Sequence, residues 1–519
     1  MARSSGIAAR RCPTPKGRSA AKSSPESPAA SKAKHAALSA KATSSRAPRA
    51  AGAAAKGKPR PIRTYHDALA YLDCRVNYEK RPPRLNLRGA LTLTRVKRLL
   101  TDLAHPEKAF RSVHIAGSKG KGSTATMLAE MLRGNGLKVG LYTSPHILDL
   151  RERIVVNGEQ ISEQDITALI AKVAKLSAGY PEAEQPTYFE VLTAVAFEYF
   201  RAKGIDIAVV ETGLGGRWDA TNVLSPEVCG ITSISYDHMA QLGNTLSKIA
   251  EEKAGIFKEN VPIVSAPQHA DVKKTLRRIA KEAKSPILFA GDEITFSYRF
   301  EASRASGPQA RIGISTPTSH FDHLVVPLVG EHQAVNCGVA LGVLDQLKGR
   351  GMTINDEASI AALSKVKLEG RMEMVCENPR VLIDGAHNAA SIEALMRAIG
   401  QNVPYDSMVV IFGCCADKDV AGMLRQIQLG ADKIIFTGIK SPRSAEATDL
   451  ARQFAENSGR MMQVAPSLTE ALEIAQKATT REDLICITGS FYLVSEAKRL
   501  FANHPNRPSE TALVQSQTE

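Results

Sequence analysis

The chain has 519 residues, 43% of them hydrophobic, and a formal net charge of +14. This length allows two or three domains with sizeable cores, and no apolar run approaches the ~20 residues that span a bilayer, which predicts a soluble protein with no membrane partner. Eight scattered cysteines without a C-x-x-C pair indicate neither a zinc site nor a disulfide framework, and favour a reducing, cytoplasmic location.

The positive charge is concentrated at the N-terminus. Residues 1–63 hold 15 of the 67 Lys and Arg residues but only one of the 53 Asp and Glu residues, Glu26. The rest of the chain therefore holds 52 basic and 52 acidic residues. Nucleic acid is therefore not expected to bind the folded body, although a nucleic-acid-associated protein acting through the basic tail stays an alternative. The Ala, Ser, Lys and Pro content predicts a disordered tail, and its acid-poor composition also fits an organelle transit peptide.

From about residue 64, short β-branched runs alternate with helical segments, which predicts parallel α/β sheets buried on both faces. The predicted strands are Arg111–Ala116, Ile205–Glu211, Cys229–Ser235, Arg380–Asp384, Met408–Gly413, Lys433–Gly438 and Leu484–Gly489. The predicted helices include Thr124–Arg133 and Ser391–Ile399. Residues 295–325 are expected to form antiparallel strands at an edge of the first block.

Two successive α/β domains are predicted, at residues 64–366 and 367–503, joined within Lys365–Pro379. The polar residues 504–519 are expected to fray.

The stretch HIAGSKGKGSTAT, residues 114–126, lies between a predicted strand and a predicted helix. Its glycines, Gly117 and Gly120, are closer together than in the common pattern G-x-x-x-x-G-K-[ST]. A Gly-rich turn that opens a helix offers backbone N–H groups and a positive helix end to an anion, and Lys121 adds a mobile charge. The sequence therefore predicts a nucleotide phosphate site here, and the alternative is a flexible surface loop.

Glu211 and His238 each follow a predicted strand, where ligands of α/β sheets bind. Mg²⁺ prefers oxygen and takes few protein ligands beside phosphate and water. Two such residues in one nucleotide domain favour a metal or phosphate role, although either side chain alone is more often structural.

Nine motifs in order then resemble the folylpolyglutamate synthase and dihydrofolate synthase family of the Mur ligase superfamily, from about Tyr65 to Ala502. They are AGSKGKGST, TSPHILDLRERI, YFEVLTA, ETGLGGRWDATN, ITSISYDHMAQLGNTLSKIAEEKAGIFK, GEHQAVN, LEGRMEM, IDGAHN and TGSFYLV. The resemblance implies a P-loop-containing, Mur ligase-like ATP-binding domain followed by a smaller Rossmann-like ligase domain. TSPH and YFEVLTA favour the folate branch over cell-wall Mur ligases.

The resemblance also implies a set of site residues and two cofactors, ATP and Mg²⁺. ATP would be held by Gly117, Gly120, Lys121, Gly122, Ser123, Asn336, Arg371 and Asp384. Metal ions would be held by Ser144, Glu211, His238 and Lys253, the last as a carbamate. The catalytic residues would be Lys121, His238, Lys253 and His387, with His387 organising the incoming glutamate. The pterin would lie near Thr187, Tyr188, Phe189, Glu190, Trp218, Asp219 and Ala220.

The chain departs from the usual family pattern at three positions. The family loop is usually G-T-N-G-K-G-S, whereas this chain has Ser118 and Lys119 at the second and third positions. Trp218 stands where leucine is common, which alters the expected shape of the pterin pocket.

The implied reaction joins L-glutamate to a pterin or folate carboxylate through an acyl phosphate, in a monomer. A bifunctional enzyme that converts dihydropteroate to dihydrofolate and extends the polyglutamate tail of reduced folate is favoured. A folylpolyglutamate synthase alone is the alternative.

Overall fold

The computed structural model describes residues 61–80, 91–303, 307–326, 328–502 and 504. The predicted disordered tail at 1–63, apart from its last three residues, and the predicted frayed end at 504–519, apart from His504, lie outside the described residues.

Eight strands form the first sheet in the order β4-β3-β2-β5-β1-β6-β7-β8. They are β1 Arg111–Ala116, β2 Val139–Tyr142, β3 Ile154–Val156, β4 Glu159–Gln160, β5 Ile207–Glu211, β6 Val228–Ile231, β7 Ile263–Ser265 and β8 Ile287–Phe289. In this order, the six strands β2-β5-β1-β6-β7-β8 are parallel, and apolar clusters cover both faces of the sheet. The antiparallel edge formed by β3 and β4 was not predicted, because strands of two or three residues carry no readable period.

A separate antiparallel sheet is formed by β9 Thr295–Ser303, β10 Gly307–Ser315 and β11 His320–Val326. The prediction of antiparallel strands is correct, and they form a sheet of their own instead of extending the first large sheet. Ile312 and Ile314 are buried in the same apolar cluster as the helix Glu331–Gly349, so this small sheet packs face-on against a helix.

The second large sheet has the order β12-β13-β17-β14-β15-β16. Its strands are β12 Glu373–Glu377, β13 Arg380–Ile383, β14 Met408–Phe412, β15 Lys433–Thr437, β16 Met461–Ala465 and β17 Leu484–Thr488. All neighbours are parallel except β12 and β13. The predicted α/β fold is thus confirmed, with two strands in antiparallel pairing added at one edge of the first large sheet and one at an edge of the second.

Fifteen α-helices are described, most of them covering the sheets. Those before the second sheet are α1 Tyr65–Asp73, α2 Leu93–Asp102, α3 Lys121–Gly134, α4 Glu163–Ser177, α5 Tyr188–Lys203, α6 Met239–Leu242, α7 Leu246–Lys253, α8 Ala270–Glu282, α9 Glu331–Gly349 and α10 Asp356–Leu363. Those of the second sheet are α11 Ala389–Asn402, α12 Val420–Ile427, α13 Ala447–Ala455, α14 Leu468–Lys477 and α15 Phe491–Phe501.

The predicted strand Cys229–Ser235 ends early, at Ile231. The residues beyond it bond to the glycine-rich loop instead of extending the sheet. The carbonyl of Ser233 accepts hydrogen bonds from the backbone N–H groups of Ser118 (3.0 Å) and Lys119 (3.3 Å). The apolar pattern of the sequence continues beyond Ile231, where the backbone stops bonding to the sheet and bonds to the glycine-rich loop. The pattern therefore could not predict where β6 ends.

Candidate active site

The loops at the carboxyl ends of β5, β1 and β6 face loops of the second large sheet across a cavity of about 680 Å³. Both sheets belong to one compact unit. The three strands are neighbours and parallel, so residues far apart in sequence reach the same edge. This edge of an α/β sheet is where ligands bind.

The glycine-rich loop requires glycine at Gly120, which has a φ of +81°. A Cβ there would lie 2.0 Å from Oδ1 of Asn336 on α9. The loop can approach α9 this closely only without a side chain, and helix α3 begins at the next residue, Lys121. The helix N-terminus therefore points its free N–H groups into the cavity, as the sequence predicted.

Glu211 ends β5 directly beside this loop and is almost fully buried. One carboxylate oxygen accepts the backbone N–H of Ser144 at 3.0 Å, and the other lies 3.7 Å from Nζ of Lys121. Burial raises the pKa of Glu211, while the charge of Lys121 opposes that shift. This buried carboxylate thus lies at the phosphate loop and already faces one cation, the ammonium of Lys121.

His238 lies on the other side of the loop, beside Asp237, which accepts a hydrogen bond from Nζ of Lys418 at 3.0 Å. Lys418 follows β14, so this contact joins the two sheets. Burial lowers the pKa of His238 to about 3, so its imidazole is neutral at neutral pH. Burial alone would raise the pKa of Asp237, but its neighbours His238 and Lys418 hold it below its usual range.

Lys253, at the end of α7, is 3% exposed and therefore lies inside the protein, not on the helix surface. Its Nζ donates a hydrogen bond to the carbonyl of Gly117 at 2.6 Å. Burial, with the charge of Lys121, lowers the pKa of Lys253 to about 7. Near neutral pH a large fraction of this side chain is therefore the uncharged, nucleophilic amine.

The second sheet contributes Arg371, Asp384 and His387 to the cavity. Asp384 follows β13 and accepts the backbone N–H groups of Met372 (2.9 Å) and Ala386 (2.8 Å), which fix its carboxylate. Burial lowers the pKa of His387 to about 4. Its Nδ1 lies 2.8 Å from the carbonyl of Gly385, and a carbonyl only accepts, so Nδ1 carries the proton and Nε2 is left as an acceptor.

The predicted pterin residues line another part of the cavity. A Cβ on Gly213 would lie 2.6 Å from the ring of Phe189, so this aromatic side chain packs directly on the loop after β5. Asp219 accepts the backbone N–H groups of Leu214 (2.8 Å) and Thr221 (3.1 Å) and so fixes that loop. The indole Nε1 of Trp218 is buried and has no hydrogen-bond partner among the residues described.

The carboxylate of Glu190 is used within the protein. It accepts the backbone N–H of Thr187 at 2.8 Å, which caps α5, and forms a 3.0 Å ion pair with Arg95. Glu190 lines the cavity, but both of its oxygens are already occupied by these contacts.

Comparison with known proteins identifies the family. Residues 115–344 match the Mur ligase middle domain, and residues 370–491 match the Mur ligase, glutamate ligase domain. The dihydrofolate synthase/folylpolyglutamate synthase of Bacillus subtilis is 34% identical over 440 residues, which cover 84% of this chain and 98% of the relative. The chain belongs to the dihydrofolate synthase/folylpolyglutamate synthase family.

Two solved structures of this family are similar over most of their length. Folylpolyglutamate synthase of Mycobacterium tuberculosis, complexed with ADP and AMPPCP, has a TM-score of 0.77 at 30% identity and covers 85% of this chain and 99% of its own. A bifunctional folylpolyglutamate synthase/dihydrofolate synthase with Mn, AMPPNP and L-glutamate bound has a TM-score of 0.73 at 27% identity, covering 86% and 100%. The recognition of this family from the nine motifs is therefore confirmed.

The cavity brings together most of the residues that the family resemblance singled out. It is lined by Gly120, Lys121, Gly122, Ser123, Ser144, Thr187, Tyr188, Phe189, Glu190, Glu211, Trp218, Asp219, Ala220, His238, Asn336, Arg371, Asp384 and His387. Gly117 and Lys253 lie behind the lining and contact each other.

Sequence reasoning missed a buried ion pair in this family member. Arg153, 1% exposed, donates to both carboxylate oxygens of Glu79 at 2.8 and 2.7 Å, and its Nε donates to His146 at 2.9 Å. Arg153 and His146 stand in the quoted motif TSPHILDLRERI, but Glu79 lies outside every motif. The pair of Asp237 and Lys418 was also missed, because Lys418 lies outside every motif and is 181 residues from its partner.

The possible metal ligands around the phosphate loop decide whether the site fits the divalent cation that the family implies. The part of the chain that the structure describes has no group of three or more His, Cys, Asp or Glu side chains that could hold a metal ion alone. A lone buried carboxylate, Glu211, beside the phosphate loop and the neutral imidazole of His238 suit a cation that keeps phosphate oxygens and waters as its other ligands. The residues therefore fit a divalent cation carried with a nucleotide.

Among the described residues, no helix is long and apolar enough to cross a membrane.

Proposed function

We propose that this chain is an ATP-dependent ligase that joins L-glutamate to the carboxylate of dihydropteroate and extends the γ-glutamyl tail of reduced folates. The observation that carries this proposal is the convergence of the phosphate loop, Glu211 and His387 on one cavity. A carboxylate is a poor electrophile, so the reaction needs an acyl phosphate formed from ATP. Glutamate then displaces phosphate and forms the amide.

Transfer of the phosphoryl group depends mainly on positioning and charge neutralisation. In the proposed mechanism the N–H groups at the start of α3 bind phosphate oxygens, and Lys121 moves from Glu211 toward the transferred group. Asn336 holds the nucleotide from beside the loop, and Arg371 and Asp384 hold it from the other side of the cavity.

The proposed metal ligands are Ser144, Glu211, His238 and a carbamate on Lys253. These residues would hold Mg²⁺, which would supply charge neutralisation for phosphoryl transfer. The lowered pKa of Lys253, about 7, leaves an amine that can react with CO₂. A carbamate there would replace an ammonium with anionic oxygen and would have to give up the hydrogen bond to Gly117 or rearrange it.

His387 is proposed to orient the incoming amine. Its neutral imidazole presents Nε2 as an acceptor, which can hold the ammonium of glutamate and take up a proton as the amide forms. The aromatic ring of Phe491 lies 5.8 Å from the imidazole and restricts its rotation.

The folate acceptor is proposed to lie between Phe189 and the loop that Asp219 fixes, with Trp218 closing one wall. All of these groups come from one chain, so a monomer contains a complete site. Since the chemistry consumes ATP and glutamate, we place the enzyme where both are abundant, in the cytoplasm.

Replacing Lys121 by Ala tests the assignment. Loss of one such stabilising group costs about 3 kcal/mol of barrier, so we expect the ligation rate to fall by at least about a hundredfold. The measurement is incorporation of labelled glutamate with saturating ATP, beside thermal unfolding to show that the fold is kept.

Lys284→Asn is the matched control, because Lys284 is exposed and its φ of +53° suits asparagine. It removes one positive charge far from the cavity and should retain normal turnover. Near-normal turnover of Lys121→Ala would contradict the phosphate assignment.

A further inference from the structure

Lys119 is exceptional among the lysines that line the cavity. Five lysines line it, and four of them form ion pairs: Lys80 with Asp73, Lys121 with Glu211, Lys418 with Asp237, and Lys440 with Glu496. The side chain of Lys119 forms no ion pair or hydrogen bond with any residue in the described part of the chain. The half-buried ammonium of Lys119 therefore has no carboxylate within ion-pair distance among the described residues.

The two carboxylates whose charges act on Lys119, those of Asp237 and Glu393, already form ion pairs with other residues. Asp237 pairs with Lys418 at 3.0 Å, and Glu393 pairs with Arg397 at 3.2 Å. Burial lowers the pKa of Lys119 to about 8, although Asp237 and Glu393 oppose the shift. A cation in this setting is costly unless an anion reaches it from the cavity.

Arg371 is a second cation of this kind, contributed by the other side of the cavity. Its guanidinium packs over the ring of Phe491 at 4.6 Å but forms no ion pair within the described residues. Burial lowers the pKa of His332 to about 4, and the charges of Arg371 and Lys119 add to the shift. Lys119, Arg371 and His332 all line this cavity, Lys119 from the loop after β1 and Arg371 from the segment before β12.

We propose that Lys119 is a nucleotide-binding residue that contacts the phosphates of bound ATP together with Arg371, from opposite sides of the cavity. This inference rests on the proposed function and adds a contact where the family usually has asparagine. Glutamate also carries carboxylates, but Lys119 directly precedes Gly120, in the loop whose N–H groups face the phosphate site. Its backbone N–H is tied to Ser233, so the side chain starts from a fixed turn.

The test is direct binding of AMPPNP with Mg²⁺ to the full-length chain, by calorimetry, for wild type, Lys119→Asn and Lys119→Arg. A charge-assisted contact to phosphate predicts on the order of tenfold weaker binding for Lys119→Asn. Lys119→Arg keeps the charge and should bind within about threefold of wild type. Lys284→Asn, which removes an exposed positive charge, should bind as wild type does.

The outcomes separate this inference from the proposed function. Equal binding by wild type and Lys119→Asn would overturn the role of Lys119 while leaving the ligase proposal standing. A higher KM for glutamate with unchanged nucleotide binding would also overturn it, because the ammonium would then serve a carboxylate. If wild type bound no nucleotide, the proposed function itself would fail. Thermal unfolding of each variant shows whether it is folded.

Discussion

Burial and neighbouring charge decide the state of the individual side chains at the site. His238 and His387 are neutral because burial disfavours the imidazolium, which leaves one ring nitrogen of each free to accept. The same effect leaves Lys253 with a pKa of about 7. None of these states can be predicted from the residue type alone, since each depends on what surrounds the side chain after folding.

His114 provides a test of this effect outside the cavity. It is fully buried in β1, with Nε2 2.8 Å from the hydroxyl of Thr221, and burial lowers its pKa to about 3, assisted by Lys258. Between pH 3 and 6.5 the unfolded chain binds a proton here that the folded chain does not. The contribution of neutral His114 to the free energy of unfolding is therefore fully present above pH 6.5. It falls by about 1.4 kcal/mol per pH unit as the solution is acidified from pH 6.5 toward pH 3.

We expect His114→Gln, which cannot titrate, to lose less stability on acidification than wild type. The difference should reach about 2 kcal/mol between pH 6.5 and 5.0. Thermal unfolding of both proteins at pH 7.5, 6.5 and 5.0 provides the measurement. An equal decrease in the two proteins would show that His114 is already charged in the folded state.

Elements were predictable where local sequence decides them. The buried runs Arg111–Ala116 and Met408–Gly413 were found to within a residue, because continuous β-branched segments between turns form central strands. Glu211 and His238, which follow β5 and β6, both line the cavity, and their role in binding metal or phosphate stays a prediction. The packing of β9–β11 against α9, and the early end of β6, depend on distant partners that no local pattern contains.

Contacts between elements were the least predictable part of the site. The Arg153–Glu79 pair links the segment after β2 to the segment after α1, and its partners are 74 residues apart. The backbone carbonyl of Glu79 also accepts a hydrogen bond from Arg443 of the second sheet, at 2.9 Å. One short segment thus connects the pterin side of the cavity with the opposite sheet.

Arg153→Met should therefore destabilise the protein strongly. Removing one member of a buried pair leaves Glu79 without its counter-ion, which costs about 3 kcal/mol. For a domain of roughly 300 residues that corresponds to a decrease of about 5 °C in the unfolding temperature. Differential scanning calorimetry measures it, with Arg278→Met as the control, because Arg278 forms only exposed ion pairs. Similar unfolding temperatures for both variants would contradict the role of the pair.

At the scale of the molecule, the two large sheets meet around one cavity. The ion pair between Lys418 and Asp237, 12% and 6% exposed, joins them beside His238. Closure of this kind excludes water, which would otherwise hydrolyse an acyl phosphate. The basic residues of the N-terminal tail lie outside this arrangement in sequence, since the family match begins at residue 115.

Removal of residues 1–60 should leave ligation unchanged, because the body from Tyr65 onward contains every proposed site residue. Any retention of the full-length chain on nucleic acid should disappear with the tail, as 14 of its basic residues are removed. Parallel assays of glutamate incorporation and of retention on a DNA column measure the two properties. Loss of ligation in the truncated but folded chain would contradict the prediction of a separate tail.

The most direct test of the central claim is the reaction itself. Purified full-length protein is incubated with ATP, Mg²⁺ and labelled L-glutamate, with dihydropteroate or tetrahydrofolate offered in parallel. A bifunctional ligase predicts labelled product with both acceptors, with ADP and phosphate released in amounts equal to the glutamate incorporated. Product with tetrahydrofolate alone would support the folylpolyglutamate synthase alternative. Absence of ATP-dependent incorporation with either acceptor, in folded protein, would contradict the account.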